Sequence, residues 1–179
     1  MSNMLPEEMA FDRANDIIME YLALGKNRAV NEKVQDLNII VGAVSQLISA
    51  NALSSGKYVT VELGDVPDLL LDDKEIRQLT LNLANNGLES MSHGGRLIIK
   101  TFTEGDEVVL SFKDQGGGID QEVLDKIGTP FFTTKTTGTG LGLAVCYSIA
   151  ARHYAVINID TGSNGTTVYV RFRKNRVAV

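Results

Sequence analysis

Two apolar runs flank a short turn in the stretch RLIIKTFTEGDEVVLSFK, residues 96–113. The runs at residues 96–103 and 107–113 are rich in β-branched and aromatic side chains, which favour strands. The sequence Glu-Gly-Asp at residues 104–106 supplies the small and polar residues of a hairpin turn. Strands joined in this way are antiparallel, so the stretch favours an α+β fold over a doubly wound parallel sheet.

The sequence around this hairpin alternates between helical and strand patterns. Helical spacing of apolar residues predicts helices over residues 7–26, 37–53, 73–92, 121–126 and 140–153. Further strands are predicted over residues 58–63, 69–71, 155–160 and 166–173. Asp72 or Asp73 is the expected N-cap of the third helix. The polar residues 27–36 are expected to form a linker.

The composition limits the partners and the compartment. A chain of 179 residues with 44% hydrophobic content can bury one substantial core, and its length indicates one domain with a small appendage. The net charge of -5 excludes the basic surface with which proteins bind nucleic acid. Cys146 is the single cysteine, and we expect no apolar run of membrane-spanning length and no signal peptide. The chain is expected to be soluble and cytoplasmic, although its parent protein could be membrane-anchored.

Three polar side chains recur on one face of the helix predicted over residues 73–92. Asn82, Asn86 and Glu89 lie within two helical turns of one another. Amide oxygens are suitable ligands for magnesium and do not repel phosphate as further carboxylates would. A solvated polar face is the simpler interpretation of this cluster when it is taken alone.

A carboxylate and three glycines follow the strand that ends near residue 113. Asp114 can accept a hydrogen bond from the exocyclic amino group of adenine, which guanine lacks at that position. Gly116, Gly117 and Gly118 let the backbone approach a ligand closely. An ordinary turn after a strand is the alternative. If the carboxylate accepts a hydrogen bond from adenine, Asp114→Ala is expected to abolish nucleotide binding and to leave the fold intact.

A lysine and three glycines occur in the segment FFTTKTTGTGLGL, residues 131–143, directly before a helical pattern. Backbone amides at Gly138, Gly140 and Gly142 can meet phosphate at the start of that helix, and Lys135 supplies a mobile positive charge. The spacing differs from a P-loop and from a dinucleotide fingerprint. A flexible linker is the alternative, which the apolar residues of the segment disfavour.

Four segments occur in an order that resembles an ATPase superfamily. QLTLNLANNGLESM, DQGGGI, TPFFTTK and GTGLGL resemble its asparagine box, first glycine box, phenylalanine box and second glycine box. The superfamily comprises gyrase, the heat-shock chaperone of ninety kilodaltons, the MutL proteins and the sensor histidine kinases, and the likeness is closest to kinases of the sporulation type. The resemblance covers residues 37–172. It implies a two-layer α/β sandwich with helices on one face of a mixed sheet, and a lid over ATP formed by residues 115–137.

The resemblance also implies the contacts with ligand. ATP and Mg²⁺ are the expected cofactors, with Asn82 and Asn86 as metal ligands, Asn82 and Lys135 as catalytic residues, and Asp114 on the adenine. The expected nucleotide contacts as a set are Asn82, Asn86, Glu89, Asp114, Gly116, Gly118, Lys135, Thr136, Gly138, Thr139, Gly140, Leu141, Gly142 and Thr166. The turn at residues 162–167 is by itself only a hairpin signal.

The N-terminal segment FDRANDIIMEYLALGK resembles the second helix of the kinase dimerisation hairpin. We therefore expect two parts, residues 1–30 from that hairpin and residues 31–179 as the ATP-binding domain, with the first helix and its phosphoacceptor histidine absent. His93 and His153 lack the acidic neighbour and the proline expected around an acceptor. The expected partners are the dimerisation domain of the parent kinase, a response regulator, and a second subunit in a full-length homodimer.

The residue at position 82 separates the classes of enzyme. Hydrolytic members of the superfamily have a glutamate there to activate water, whereas an amide activates water poorly. We therefore predict the catalytic domain of a sensor histidine kinase. An anti-sigma-factor-type serine kinase shares the nucleotide site, although the phenylalanine box disfavours it. A nucleotide-gated binding module without catalysis is the alternative from a different class.

Overall fold

The computed structural model describes residues 30–136 and 138–174. The helices in this part are α1 (Leu37–Ser54), α2 (Asp73–Ser90), α3 (Gln121–Leu124) and α4 (Gly142–Arg152). The strands are β1 (Lys33–Gln35), β2 (Tyr58–Leu63), β3 (Leu69–Leu71), β4 (Arg96–Glu104), β5 (Glu107–Lys113), β6 (Val156–Gly162) and β7 (Gly165–Arg173). The helix predicted over residues 7–26 lies outside the described residues.

The main sheet has five strands in the order β2-β4-β5-β7-β6. β2 runs parallel to β4, and every other pair in this sheet is antiparallel. The hairpin predicted at residues 96–113 forms as β4 and β5, with Glu104 opposite Glu107 at its turn. The mixed sheet and its hairpins confirm the prediction of an α+β fold.

The helices and the sheet share one apolar core, which makes the fold a two-layer sandwich. β4 places Leu97 and Ile99 on its buried face and leaves the intervening side chains more accessible, as expected for a strand covered on one side. Leu79 of α2 and Ile149 of α4 are completely buried in the same cluster. Burying a side chain of this size contributes about 1.5–3 kcal/mol. The two-layer prediction is therefore confirmed.

α1 is long and apolar enough by length and composition to cross a membrane, so the expectation that no run reaches this length is wrong. The helix contains no charged residue. Its inward side is nevertheless part of the protein core, and the buried residues are Leu37, Ile40, Val41, Val44, Ile48 and Ala52. Core helices of soluble domains pass the same test of length and apolarity.

The predicted linker over residues 27–36 contains a strand that the sequence analysis missed. β1 pairs antiparallel with β3, and Gln35 Nε2 donates to the Leu71 carbonyl at 2.7 Å. Val34 is the one apolar residue of β1 and is 70% exposed, so burial of an apolar face does not account for this strand. A pairing partner that lies far along the sequence therefore determines this strand.

The last turn of α4 ends in a conformation that usually belongs to glycine. His153 is the C-cap, Tyr154 follows with φ +53°, and the Ala155 amide donates to the Ala150 carbonyl at 2.8 Å. This 6→1 bond is characteristic of a Schellman motif, in which glycine is favoured at the position of Tyr154. The turn therefore forms with tyrosine at a position that glycine usually occupies.

One charged cluster is buried between the start of α2 and the end of α4. Glu75 is 3% exposed, and Arg152 Nε donates to both of its carboxylate oxygens at 3.1 and 3.2 Å. His153 is also buried, and its Nε2 accepts the Asp72 amide at 3.0 Å. The proton on the other ring nitrogen can then be donated to the Ile149 carbonyl, 2.9 Å from Nδ1. His153 therefore has a structural role in this fold.

Candidate functional site

A cleft of about 790 Å³ opens between α2, the segment that precedes α4, and one end of the sheet. Part of its wall is apolar and suits a flat ring; these residues are Leu83, Phe112, Ile119, Val123, Ile127, Phe132, Leu143, Ile159 and Val168. The rest of the wall consists mainly of glycines and of hydroxyl and amide side chains. A cleft lined by both apolar and polar residues matches a ligand with a hydrophobic ring and a charged tail.

Asp114 is buried where β5 ends, and one of its carboxylate oxygens is fixed by the backbone. Oδ1 accepts the Gly116 amide at 2.8 Å and the Thr166 amide at 3.1 Å. The Asp114 amide donates in turn to the Thr166 carbonyl at 2.9 Å. Because Oδ1 already has two donors, Oδ2 is the oxygen that can accept a hydrogen bond from a ligand.

Two glycines set the space around Asp114. A Cβ on Gly165, whose φ is +127°, would lie 2.1 Å from the Asp114 carbonyl oxygen, so no side chain fits there. A Cβ on Gly87 would lie 2.8 Å from Leu97 Cδ1 and 3.5 Å from Asp114 Cβ. Both glycines therefore allow their own element, β7 or α2, to pack closely against Asp114 or its neighbour Leu97.

The polar face of α2 contacts the start of α4 and the segment that closes the cleft. This closing segment comprises residues 115–136 and 138–141. Asn82 Nδ2 donates to the Gly142 carbonyl at 3.2 Å, at the start of α4. Lys135 Nζ donates to Asn86 Oδ1 at 3.3 Å and also to Glu89 Oε2, with which it forms an ion pair. The three side chains that the sequence groups on one helical face therefore all face the glycine-rich segment.

The closing segment is anchored at defined points. The Ile119 amide donates to Thr161 Oγ1 at 2.9 Å, and the Phe131 amide donates to the Gly140 carbonyl at 2.9 Å. Gly128 lies against the ring of Tyr147, where a Cβ would come within 2.5 Å of a ring carbon. The pKa of Tyr147 is raised, first by burial and then by the neighbouring Cys146. The Tyr147 phenol is therefore neutral at physiological pH.

Most of the predicted contact residues lie in the wall of the cleft: Asn82, Asn86, Glu89, Asp114, Gly118, Lys135, Gly138, Thr139, Gly140, Gly142 and Thr166. Three predicted residues do not. Gly116 lies behind the Asp114 carboxylate, Thr136 is exposed, and the Leu141 side chain is completely buried in the protein. The structure therefore gives Gly116 and Leu141 supporting positions, and their contact with ligand would be limited to backbone atoms.

Several residues of the site were missed by the sequence analysis. Asn85 also lines the cleft. Its helical spacing from Asn82, three positions, was a signal that could have indicated this. Thr161 joins the closing segment to β6 and contacts Thr166 Oγ1 at 2.9 Å. A pairing between distant strands brings Thr161 here, and no local sequence pattern indicates it.

A metal ion would have to be held mainly by neutral oxygens in this cleft. Within residues 30–136 and 138–174, no three His, Cys, Asp or Glu side chains are grouped as a metal site. The amide oxygens of Asn82 and Asn86 are of the chemical type that Mg²⁺ accepts when phosphates supply the other ligands. The residues present therefore fit a magnesium ion that arrives with a nucleotide.

The residues that line the cleft lie within a range that matches a known protein family. Residues 71–176, more than half of the chain, match the family described as "Histidine kinase-, DNA gyrase B-, and HSP90-like ATPase". The chain belongs to this ATPase family. The matched range begins at the end of β3 and includes Asp114, Lys135 and the polar face of α2, all of which line the cleft.

Curated relatives place the ATPase domain among the histidine kinases. It is 33% identical over 159 residues to sporulation kinase C of Bacillus subtilis, a match that covers 88% of this chain and 37% of that kinase. Sporulation kinase D of the same organism is 38% identical over 160 residues, covering 86% of this chain and 31% of that kinase. The chain thus spans about a third of the length of these relatives.

Solved structures agree with this assignment. The catalytic domain of histidine kinase ThkA superposes with a TM-score of 0.74 at 28% identity, and the match covers 81% of this chain and 97% of that domain. The ATPase domain is therefore of the histidine kinase type, as the resemblance of its four boxes predicted.

Proposed function

We propose that the chain binds ATP with magnesium and directs the γ-phosphoryl group to a histidine on a dimerisation hairpin. The observation that supports this most directly is the placement of Asp114, Lys135 and the Asn82/Asn86 pair around one cleft. The carboxylate would accept the adenine amino group, and the lysine and asparagines would contact the phosphates and the metal. Family membership supports the same assignment.

In phosphoryl transfer, the protein groups would bind the phosphates and stabilise the charge that develops on them. The Gly138–Gly142 backbone and Lys135 would hold the phosphates and offset the charge that develops as the terminal P–O bond breaks. Mg²⁺ supplies further charge neutralisation when it is bound. The acceptor nitrogen forms the new P–N bond and ADP leaves, so the reaction needs no activated water.

Position 82 supports transfer to a protein group over hydrolysis. The Asn82 amide is bonded to the Gly142 carbonyl through its nitrogen, and an amide cannot remove a proton from water. The carboxylates in the wall of the cleft are Glu89, Asp114 and Asp120; Glu89 is paired with Lys135, and Asp114 is fixed by two amides. The site therefore lacks a carboxylate at the position where hydrolytic relatives have one.

The same proposal names the partners and the domain arrangement. Residues 1–30 would belong to the dimerisation hairpin and residues 31–179 to the catalytic domain, with a homodimer as the full-length form. A response regulator would receive the phosphoryl group next. Histidine kinase ThkA, a structural neighbour of this chain, has been solved in complex with the response regulator TrrA, which supports this class of partner.

We expect nucleotide to protect the closing segment from protease. Lys126 and Lys135 are both exposed on it, so trypsin should cut there in the free protein. Saturating MgATP should slow this cleavage, because phosphate contacts would order the backbone around Lys135. Cleavage is followed by mass spectrometry, with the exposed Lys33 on β1, which does not line the cleft, as an internal reference. Equal cleavage rates with and without ATP would contradict ordering by nucleotide.

We expect the chain to bind ATP without phosphorylating itself. His153 is buried and hydrogen-bonded, and His93 is exposed in the turn after α2, outside the wall of the cleft. Incubation with radiolabelled ATP should therefore give no acid-labile label and little phosphate release. Addition of the parent kinase's dimerisation hairpin should give label on that hairpin.

The outcomes of this labelling experiment separate the alternatives. Label on His93 or His153 would contradict the need for an external acceptor. Rapid phosphate release without a hairpin would indicate a hydrolytic enzyme. Binding of ATP with no label on the hairpin would favour a nucleotide-gated module, and label on a serine of a partner would favour the serine kinase class.

A further inference from the structure

The pairing of Lys135 in the nucleotide site has a consequence for binding. Among the cleft-lining residues of the described chain, Lys135 is the only basic one, and its Nζ is bonded to Glu89 and Asn86. Both partners project from α2, one helical turn apart. The lysine that the phosphates require is therefore already held by a carboxylate and an amide.

A phosphate group and the Glu89 carboxylate compete for the same ammonium group. Glu89 and Lys135 are partly accessible, with side chains 58% and 39% exposed, so the pair is solvated and can exchange partners at little cost. Two adjacent anions without the lysine between them would repel each other in a cleft that also contains Asp114 and Asp120. Phosphate can therefore enter easily only when Lys135 moves toward it.

We propose that Glu89 is a positioning residue that holds Lys135 beside α2 in the nucleotide-free protein and releases it to the phosphates when ATP binds. This inference rests on the proposed ATP-binding function. It reassigns Glu89 from a nucleotide contact to a competitor for the lysine. The exchange also frees Asn86 Oδ1, which now accepts Lys135 Nζ at 3.3 Å, for the metal ion.

The exchange makes nucleotide affinity depend on the phosphates. Every ligand that needs Lys135 must break its contact with Glu89, which lowers the affinity for that ligand. A ligand without phosphate does not need Lys135, so its affinity is unaffected. Glu89→Gln keeps the size of the side chain and removes its charge. We expect this variant to bind MgATP about threefold to fivefold more tightly and adenosine with unchanged affinity. Isothermal titration calorimetry measures both ligands.

A second background distinguishes exchange from simple repulsion. In Lys135→Met there is no ammonium group to release, so adding Glu89→Gln should give a clearly smaller gain in MgATP affinity. An equal gain in both backgrounds would show that Glu89 only repels phosphate and would overturn the proposal. Weaker MgATP binding in Glu89→Gln would show that Glu89 helps to bind ligand and would overturn it as well.

A matched control removes the same charge elsewhere. Glu62 pairs with Lys100 at 2.6 Å on the sheet, and neither residue lines the cleft. Glu62→Gln should leave MgATP affinity unchanged, whereas a gain equal to that of Glu89→Gln would assign the effect to net charge and overturn the proposal. Failure of the unmodified protein to bind MgATP would instead contradict the proposed function itself.

Discussion

Asp114→Asn is expected to weaken MgATP binding by about 100-fold or more, because it replaces a charge-assisted acceptor with a donor facing the adenine amino group. Asparagine can keep its oxygen toward the Gly116 and Thr166 amides, which already fix Oδ1 at 2.8 and 3.1 Å. The fold should therefore persist, with the amide nitrogen placed where Oδ2 stood. Calorimetric titration with ATP measures the loss, and circular dichroism checks the fold.

The structure changes the choice of substitution at this position. Asp114→Ala was expected from the sequence to leave the fold intact, but it would leave the Gly116 and Thr166 amides buried without their acceptor. Such an unpaired group costs about 1–3 kcal/mol, so the alanine variant mixes a loss of stability with a loss of binding. Unchanged ATP affinity in Asp114→Asn, or equal affinity of the unmodified protein for GTP, would contradict adenine recognition by this carboxylate.

Glu75→Ala is expected to lower the free energy of unfolding by about 3–5 kcal/mol, because it leaves the Arg152 guanidinium buried without its anionic partner. The Arg152 and Glu75 side chains are only 11% and 4% exposed, so water cannot replace the lost carboxylate. Urea unfolding followed by circular dichroism measures the change. Glu75→Leu combined with Arg152→Leu should recover much of the loss, since a buried apolar pair avoids the unpaired charge.

An exposed pair on the same helix provides the control. Asp73 and Arg77 lie 2.7 Å apart with side chains 36–39% exposed, and such a pair contributes at most about 0.5 kcal/mol. The hydrogen bond to Arg77 lowers the pKa of Asp73, so its small contribution is present at neutral pH and is lost as the pH falls through that lowered value. If Asp73→Ala and Glu75→Ala lowered the free energy of unfolding equally, the large effect expected at Glu75 could not be attributed to burial of its ion pair.

Local sequence patterns predicted the parts of the fold that depend on local chemistry. The hairpin at residues 96–113 needed only two apolar runs and a turn, and Asp72 or Asp73 was expected as the cap because an aspartate side chain can accept helix amides. In the structure Asp72 Oδ1 accepts the Lys74 and Glu75 amides at 3.0 and 3.3 Å. The helical spacing of Asn82, Asn86 and Glu89 likewise placed them on one side of the cleft.

The missed features depend on contacts between distant residues. β1 forms because β3 lies beside it, and Thr161 reaches the site because β6 pairs with β7. The ion pair of Lys135 with Glu89 joins residues 46 positions apart. No periodicity or turn signal contains such information, whereas the order of the four boxes predicted the ATPase family through resemblance.

Gly165 is a position where substitution is expected to be harmful although the residue has no side chain to contact a ligand. It offers no functional group to a ligand, yet a single methyl at its α-carbon would lie 2.1 Å from the Asp114 carbonyl oxygen. An alanine there would push the start of β7 away from the end of β5 and shift the Thr166 amide that aims the carboxylate. In a scan of tolerated variants, this position would thus be as restricted as Asp114, although the two are 51 residues apart in the chain.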